Sequence, residues 1–370
     1  MPSKLVKLYL VNTASDVYIS TCSVCSLPND LEINSPAMRV LVTGAAGFIG
    51  SAVSRSLVEL GHTVFAVDNF SDYYDVSLKY ARVDGLLKQV DLEVQELDIS
   101  HQQVFSKFVK IVQPKIILHL AAQPGVRLGI EQYDSYVQNN VVGFNNILFS
   151  CMEYKIPSLI YASSSSVYGN SAKKPFAESE ADLKPESFYG ITKLANELLV
   201  NALLKNSSTR ARALRFFTVY GPWGRPDMAY FRMIANVIIG GKFPFYGDGT
   251  IERDFTYVDD VACSITSLAK ELEARKPGFC DVVNIGGSRP LSINYLMELV
   301  GALSDKSVSF ERLSTNSNDV SRTVANSSYL ESLIGVIPTV KLEDGIKKVY
   351  NWAIQPNIQK NLKVWIDSVN

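Results

Sequence analysis

The strongest constraint on the fold is the regular alternation of short apolar runs with amphipathic stretches that begins at Met38. The apolar runs have the length of buried strands, and the stretches between them have the periodicity of helices. Strands that alternate with helices pair in parallel, because a crossover helix has to return the chain to the same edge of the sheet. The sequence therefore predicts an α/β protein with a Rossmann-type, doubly wound parallel sheet and a smaller C-terminal α/β substrate region.

Most of the predicted elements lie between residues 38 and 220. Strands are predicted at residues 39–42, 63–67, 92–97, 115–120, 158–162 and 211–217, and helices at 49–60, 102–112, 134–152 and 188–205, with two more at 228–239 and 293–303. Glycine and proline become denser after residue 220, which indicates a change of architecture. We expect residues 38–220 to bind a dinucleotide and residues 221–370 to form mainly the substrate region, with a crossing back to the sheet allowed.

Composition narrows the classes of partner. The net charge is −1 and no run of five basic residues occurs, so the sequence lacks the positive surface that nucleic acids require. Residues 1–37 are too interrupted by polar and charged residues for a membrane span, and they lack the clean apolar region of a signal peptide. We expect a disordered extension there, no membrane partner and a cytoplasmic location.

The cysteines give no sign of a disulfide framework or a metal site. Their number is odd and their spacing irregular, which is typical of proteins from a reducing compartment. Cys22 and Cys25 form a C-x-x-C pair, but the sequence offers no second pair or histidine cluster to complete a zinc site. We therefore predict no metal.

A glycine-rich turn follows the first predicted strand. Gly44 permits the turn, Gly47 lets the main chain approach a diphosphate, and Gly50 lets the helix pack on the sheet. The helix that starts at Phe48 and Ile49 then presents N–H groups and a positive dipole end to the phosphates. Asp68 ends the next strand, where a carboxylate hydrogen-bonds ribose hydroxyls and repels a 2′-phosphate. This arrangement predicts NAD rather than NADP, with Asn69, Asp98 and Ile99 at the adenosine end.

A tyrosine and a lysine, Tyr189 and Lys193, are spaced to share one face of a predicted helix. A phenol is a poor base at neutral pH, but a nearby ammonium and the positive nicotinamide lower the pKa of the phenol. Tyr189 can then take the proton of a hydroxyl whose carbon gives a hydride to the cofactor. Ser164, Ser165 and Ser166 follow the fifth strand, where their hydroxyls can bond both the substrate and the tyrosine oxygen.

These motifs together resemble the extended short-chain dehydrogenase/reductase superfamily, specifically its nucleotide-sugar epimerases, over residues 38–370. The likeness is greatest to UDP-glucuronate 4-epimerases, and it is carried by the segment HLAAQPGVR at 119–127 and by RFFTVYGPWGRPDMA at 215–229. The resemblance implies Tyr189 as the base, Lys193 as its modulator, and Ser164 to Ser166 as hydroxyl and carboxylate contacts. It also implies a homodimer, formed through helices near residues 102–112 and 134–152.

The resemblance assigns further residues to the cofactor and the substrate. The nicotinamide side is assigned to Leu120, Ala121, Ala122, Gln123 and Asn140, the last of which steadies the loop. The sugar and its acid are assigned to Gly125, Arg127, Thr218 and Arg225, the diphosphate to Arg253, and the uridine to Asp319 and Arg322. The sequence departs from the family pattern at Asn318, where glycine is usual, and at Asn326, where an acid is common.

Several functions remain open at this stage. The favoured one is NAD-dependent 4-epimerisation of UDP-glucuronate to UDP-galacturonate, by oxidation at C4, rotation of the 4-keto sugar and re-reduction. The alternatives are a 4-epimerase of UDP-glucose or UDP-N-acetylglucosamine, a UDP-glucuronate decarboxylase, and a non-catalytic NAD sensor. Ser166 stands where related dehydratases and decarboxylases carry an acid that assists proton loss at C5, which favours an epimerase.

Overall fold

The computed structural model describes residues 37–126, 129–170, 172–313 and 320–369. All but the last residue of the predicted extension, including Cys22 and Cys25, therefore lie outside the described residues. The described residues form the strands β1 (Arg39–Thr43), β2 (Thr63–Asp68), β3 (Val94–Glu96), β4 (Ile116–His119), β5 (Ser158–Ser164), β6 (Arg210–Phe216), β7 (Thr218–Tyr220), β8 (Phe243–Tyr246), β9 (Glu252–Tyr257), β10 (Cys280–Ile285), β11 (Pro290–Ser292) and β12 (Phe310–Leu313).

The helices alternate with the strands as the sequence pattern predicts. They are α1 (Phe48–Glu59), α2 (Ser77–Arg82), α3 (Gln102–Val112), α4 (Tyr133–Tyr136), α5 (Gly143–Glu153), α6 (Phe188–Leu204), α7 (Ala229–Ile239), α8 (Val258–Glu273), α9 (Ile293–Ser304), α10 (Ser328–Ile334), α11 (Leu342–Ala353), α12 (Pro356–Gln359) and α13 (Leu362–Asp367). None of the described helices is long and apolar enough to cross a membrane.

Seven parallel strands make the central sheet, in the order β10-β6-β5-β4-β1-β2-β3. Its middle strands are apolar on both faces, because helices cover both sides of a doubly wound sheet. Val40, Leu41 and Val42 of β1 are all fully buried, and Val40 pairs with Ile116 of β4 and Val64 of β2. The predicted fold class is confirmed.

A second region lies beyond the carboxyl end of this sheet. It contains the three-stranded sheet β11-β9-β7 and the parallel pair β12-β8. Its own core is rich in aromatic residues, among them Tyr220, Trp352 and Trp365. Helix α8 and strand β10 nevertheless belong to the first region, since α8 packs on α1 and β10 extends the central sheet. The chain thus returns to the dinucleotide-type sheet after residue 221.

The predicted helix at 134–152 is interrupted. Residues 137–142 form a π-helical turn between α4 and α5, and Asn140 is buried within that turn. Single π turns inside helices are frequent at functional sites, because the extra residue redirects a side chain. No periodicity argument could locate this turn, since the apolar spacing continues through it.

Candidate active site

The glycine turn after β1 is closely packed on the strand beside it. Gly44 has φ of +73°, and a Cβ there would lie 2.6 Å from the main-chain nitrogen of Ala121. A Cβ on Gly50 would lie 1.9 Å from the carbonyl oxygen of Gly44, so the helix can approach the turn only with glycine at that place. No side chain caps the start of α1 at Gly47, which leaves N–H groups at Phe48 and Ile49 for an anion.

Asp68 closes this site at the end of β2. Its carboxylate accepts hydrogen bonds from the main-chain nitrogens of Ala46, at 3.1 Å, and Phe70, at 2.8 Å, and it pairs with Lys79 at 3.3 Å. A carboxylate has about four acceptor positions, so room remains for a hydroxyl donor. The neighbouring residues are linked as well, because Asn69 donates to Asp98 at 3.1 Å.

Asp98 and Ile99 follow β3 and turn the chain towards α3. Although burial opposes ionisation, hydrogen bonds from Ser100 and Asn69 lower the pKa of Asp98. Ile99 is buried against Gly143, where a Cβ would lie 2.9 Å from its Cδ1 atom. The structure thus places the residues predicted for the adenosine end along one edge of the sheet; they are Asp68, Asn69, Asp98 and Ile99.

The loop after β4 is held by the π turn. Asn140 accepts a hydrogen bond from the Gln123 nitrogen at 2.8 Å and donates to its carbonyl oxygen at 3.1 Å. Its amide also donates to Thr192 of α6, at 3.1 Å. Asn140 therefore fixes the loop that contains Leu120, Ala121 and Ala122 against the helix that carries Tyr189 and Lys193. The Gly125 carbonyl, further along this loop, accepts a hydrogen bond from Tyr136.

Tyr189 and Lys193 lie in the first two turns of α6. The helix begins at Phe188, after Ser187 caps it by accepting from the Gly190 nitrogen. Tyr189 lies near Ser164, at the end of β5, and this serine acts to lower the pKa of the phenol. The Lys193 ammonium lies 5.7 Å from the centre of the Tyr189 ring. It is 1% exposed, with no hydrogen-bond partner among the described residues.

The serine cluster forms a tight turn at the end of β5. Ser165 to Val167 make one 3₁₀ turn, which Ser164 caps by accepting from the Ser166 nitrogen at 3.1 Å. The Ser164 hydroxyl also donates to the Ser166 hydroxyl at 3.1 Å. Gly190 lets α6 approach this turn, since a Cβ there would lie 2.8 Å from the Ser166 carbonyl oxygen. The turn and the helix are therefore one packed unit.

Burial shifts the pKa values of Tyr189 and Lys193 in opposite directions. Burial raises the pKa of Tyr189, and this outweighs the lowering by Arg225 and by Ser164. The lowering by the Lys193 ammonium together with the positive nicotinamide concerns the cofactor-bound protein and stays a prediction. Burial also lowers the pKa of Lys193 to about 8, so its charge is destabilised in the same environment. The Lys193 ammonium has no hydrogen-bond partner among the described residues, so a bound anion or hydroxyl group would stabilise its charge.

Arg225 lies near Tyr189 and is paired with a carboxylate. Its guanidinium forms a bidentate pair with Asp227, at 3.0 and 2.8 Å, and Tyr73 donates to the same carboxylate at 3.3 Å. Burial opposes the charge of Arg225, but Asp227 raises its pKa. The charge also acts on Tyr189. A positive group is thus held in place near Tyr189.

The remaining predicted substrate residues are more dispersed. Thr218 begins β7 and pairs with Phe255, while Arg253 of β9 donates to the carbonyl oxygens of Glu252, at 3.0 Å, and Val320, at 2.7 Å. Arg322 is exposed and pairs with the Glu252 carboxylate at 2.8 Å. Arg127 and Asp319 lie outside the described residues.

A cavity of about 540 Å³ lies beside Arg322, with Lys174, Ser288 and Glu331 also in its wall. Neither Tyr189 and Lys193 of α6 nor the serine turn lines it. Arg322 therefore contacts this cavity rather than the Tyr189–Lys193 pair.

Sequence reasoning missed three residues that support the site. Lys79 and Arg82 of α2 are buried, paired with Asp68 and bonded to Ala46 of the glycine turn respectively, and Glu197 of α6 is buried against Arg215. Glu197 had a detectable signal, since it continues the four-residue spacing of Tyr189 and Lys193 along one helix face. Lys79 and Arg82 had none, because α2 is short and its partners are distant in sequence.

The comparisons with known proteins agree with this geometry. Residues 40–286 match the family model described as NAD dependent epimerase/dehydratase family. The chain belongs to this family. The resemblance drawn from the sequence motifs is confirmed.

Individual members of the family extend the comparison. A UDP-glucuronate 4-epimerase of Arabidopsis thaliana is 39% identical over 328 residues, which are 85% of this chain and 75% of that relative. A probable UDP-glucuronate 4-epimerase of Rhizobium meliloti is 35% identical and covers 86% of this chain and 97% of its own length. The UDP-glucuronic acid 4-epimerase of Bacillus cereus, solved with UDP-glucuronic acid and NAD, has a TM-score of 0.76 and 34% identity, with coverages of 85% and 98%.

The residues of this epimerase-family chain fit NAD. The glycine turn leaves main-chain N–H groups exposed beside a surface that a Cβ would block, and Asp68 retains an acceptor position. The buried ammonium of Lys193 lacks a partner among the described residues, and a ribose hydroxyl would supply one. These observations agree with a cofactor that lies across the carboxyl ends of the strands.

Proposed function

We propose that this protein is an NAD-dependent UDP-sugar 4-epimerase that interconverts UDP-glucuronate and UDP-galacturonate. The observation that carries the proposal is the placement of Tyr189 next to the serine turn and one helical turn from the buried, unpartnered ammonium of Lys193. This arrangement supplies a proton acceptor, a group that orients it and a cation at one point. The relatives and the solved structure named above support the choice of UDP-glucuronate.

The reactive residues have distinct proposed roles. Tyr189 takes the proton of the C4 hydroxyl in the first half of the cycle and returns it in the second, after the 4-keto sugar has rotated. Ser164 orients the phenol, and the positive charge of Lys193, 5.7 Å from the centre of the Tyr189 ring, stabilises its deprotonated form once the cofactor is bound. When bound, NAD would supply the redox chemistry, as the acceptor and later the donor of the C4 hydride.

The cofactor site is proposed from the residues that line the carboxyl ends of the strands. Lys193 would bind the nicotinamide ribose, and Asn140 would keep the adjacent loop in place. The other proposed contacts are Gly44, Gly47, Phe48, Ile49, Gly50, Asp68, Asn69, Asp98, Ile99, Leu120, Ala121, Ala122, Gln123 and Tyr189.

The substrate carboxylate needs protection, because a 4-keto uronic acid is a β-keto acid that can lose CO₂. We infer that Ser165, Ser166 and Arg225 hold this carboxylate so that its charge stays localised. The fixed orientation of Arg225 by Asp227 supports this role, since a held guanidinium keeps its direction through the cycle. Gly125, Arg127 and Thr218 complete the proposed sugar site, with Arg253, Asp319 and Arg322 at the nucleotide end.

The decisive experiment incubates the purified protein with UDP-glucuronate and no added cofactor, and it resolves the products by NMR while CO₂ is measured. The expected product is UDP-galacturonate, with no net NADH and far less CO₂ than epimer. UDP-xylose or a 4-keto pentose would move the function to decarboxylation. Turnover only of UDP-glucose or UDP-N-acetylglucosamine would select the neutral-sugar epimerase, and an unchanged output of the Tyr189→Phe variant would select a sensor.

We also propose a homodimer through helices α3 and α5, in a cytoplasmic protein. Large apolar side chains are exposed on both helices, namely Val104 and Ile111 on α3 and Phe149 and Met152 on α5. Clustered exposed apolar groups on helices mark association surfaces. Sedimentation of the Phe149→Glu variant is expected to give a monomer where the parent chain gives a dimer. An unchanged sedimentation coefficient would contradict this interface.

A further inference from the structure

A single buried arginine joins two loops of the candidate site. Arg82, the last residue of α2, is 0% exposed. Its guanidinium donates to the carbonyl oxygens of Ala46 at 3.2 Å, Trp223 at 2.8 Å and Gly224 at 3.0 Å. It also donates to the Tyr74 hydroxyl at 2.6 Å. These four partners are all neutral oxygens, so the positive charge of the guanidinium is not neutralised by them.

The two loops have different proposed duties. Ala46 lies between Gly44 and Gly47, in the turn proposed to hold the cofactor diphosphate. Trp223 and Gly224 directly precede Arg225, whose charge acts on Tyr189. A displacement of either loop would therefore change its hydrogen bonds with Arg82, and through Arg82 it would disturb the other loop.

A second contact joins the same segment to Trp223. A Cβ on Gly85 would lie 2.7 Å from the Cζ2 atom of Trp223, so the indole packs directly on the turn that follows α2. Trp223 has φ of +64°, a left-handed conformation that bulky residues adopt only when their surroundings hold them. Two such constraints are the hydrogen bond that Arg82 donates to the Trp223 carbonyl oxygen and the packing of the indole on Gly85.

We propose that Arg82 is a positioning residue that couples cofactor binding to UDP-sugar binding, an inference that rests on the proposed function. The planar, forked guanidinium of Arg82 donates hydrogen bonds to both loops at once. Its positive charge favours an anionic ligand bound at either loop. Ordering of the cofactor turn by NAD then orders the loop that carries Arg225, and the reverse holds equally. Binding linkage requires the two effects to be equal in size.

The test measures the Kd of NAD with and without saturating UDP-glucuronate, in the full chain with Tyr189→Phe to prevent turnover. With Arg82 present, UDP-glucuronate is expected to tighten NAD binding by about tenfold, a common size for coupling between sites. The further substitution Arg82→Met is expected to reduce the coupling to less than about twofold. The Arg82→Lys variant keeps the charge but lacks the fork, so it is expected to retain more NAD affinity while losing the coupling.

Arg212→Met is the matched control. Arg212 is also 0% exposed, but it pairs with Asp281 and Glu271, away from both loops. Its loss is expected to destabilise the fold while the coupling stays intact; an equal loss of coupling would overturn the inference. If Arg82→Met does not fold, Arg82→Lys decides, and coupling that survives in it contradicts the role of the fork. Failure of the parent protein to bind UDP-glucuronate would reject the proposed function itself.

Discussion

The ammonium nitrogen of Lys193 lies 5.7 Å from the centre of the Tyr189 ring, one helical turn along α6. It is buried and has no hydrogen-bond partner among the described residues, and burial lowers its pKa to about 8. A buried, unpartnered charge destabilises the folded state. The position is therefore optimised for a ligand rather than for the stability of the protein alone.

Lys193→Met is predicted to stabilise the cofactor-free protein near neutral pH while abolishing epimerisation. The pKa falls from 10.5 to about 8 on folding, so the charged form is disfavoured in the folded state. At 1.36 kcal/mol per pKa unit, removal of this charge is worth about 3 kcal/mol in the free energy of unfolding. Urea unfolding of the NAD-stripped proteins measures the difference.

The pH dependence of that difference has a definite sign. Below about pH 8 the folded protein carries the full penalty of a buried ammonium. Between about 8 and 10.5 the unfolded chain binds more protons than the folded one, so the parent protein gains stability as the pH rises. The advantage of Lys193→Met should therefore shrink across this window. Lys79→Met, which breaks the buried pair with Asp68, should destabilise instead; stabilisation by both substitutions would contradict the argument.

Tyr189→Phe is predicted to reduce kcat by roughly 100- to 10,000-fold, the range for removal of a general acid–base group. The phenyl ring keeps the packing, so the melting temperature and the amount of bound NAD should change little. Because burial raises the pKa of Tyr189, kcat/KM of the parent enzyme should rise with pH as the phenol loses its proton. Tyr154→Phe is the control, since that hydroxyl bonds only to Ser106, at 2.8 Å, among the described residues.

Asp68→Asn is predicted to weaken NAD binding by about tenfold or more, which corresponds to ~1.4 kcal/mol. The substitution removes the carboxylate that holds Lys79 and the Ala46 nitrogen, and it leaves the buried ammonium of Lys79 without its charged partner. It also removes the repulsion of a 2′-phosphate, so the preference for NAD over NADP should fall. Titration with both dinucleotides checks this, and Asp84→Asn, an exposed pair with Lys88, should leave both affinities unchanged.

The parts of the fold with local signals were predictable from the sequence. Helix α3 was placed at its observed bounds, 102–112, and β1 and α1 within one residue, because apolar spacing and a glycine turn mark them directly. The Tyr–Lys spacing on α6 was visible for the same reason. Strand β10 was not predicted, because a short apolar strand after residue 220 carries no sign of which sheet it joins.

The supporting residues of the site required tertiary information. The bidentate pair of Arg225 with Asp227 follows from a loop conformation, and the unfavourable charge of Lys193 follows from burial by distant segments. A sequence pattern gives residue types and spacing, but it does not give the desolvation that decides a pKa. This is why the spacing indicates the Tyr–Lys pair, whereas the raising of the Tyr189 pKa by burial is visible only in the structure.

The last prediction concerns the buried ion pair beneath the reactive helix. Glu197 of α6 accepts two hydrogen bonds from Arg215 of β6, at 3.0 and 2.7 Å, and one from Ser163 of β5, at 2.5 Å. Glu197→Gln leaves a buried guanidinium without a carboxylate, which costs ~3–5 kcal/mol of the free energy of unfolding. Because Ser163 directly precedes Ser164, whose side chain acts on Tyr189, kcat should fall as well.

A cycle of substitutions separates the pair from its surroundings. The double variant Glu197→Met with Arg215→Met removes both charges, so it should be more stable than Glu197→Gln alone. Glu59→Gln, in an exposed pair with Arg55, should change the free energy of unfolding by less than ~1 kcal/mol. If Glu197→Gln were as mild as Glu59→Gln in urea unfolding, the pair would not be what joins α6 to β5 and β6, and the position of Tyr189 would depend on the Asn140 contacts and on the packing of Gly190 against the serine turn.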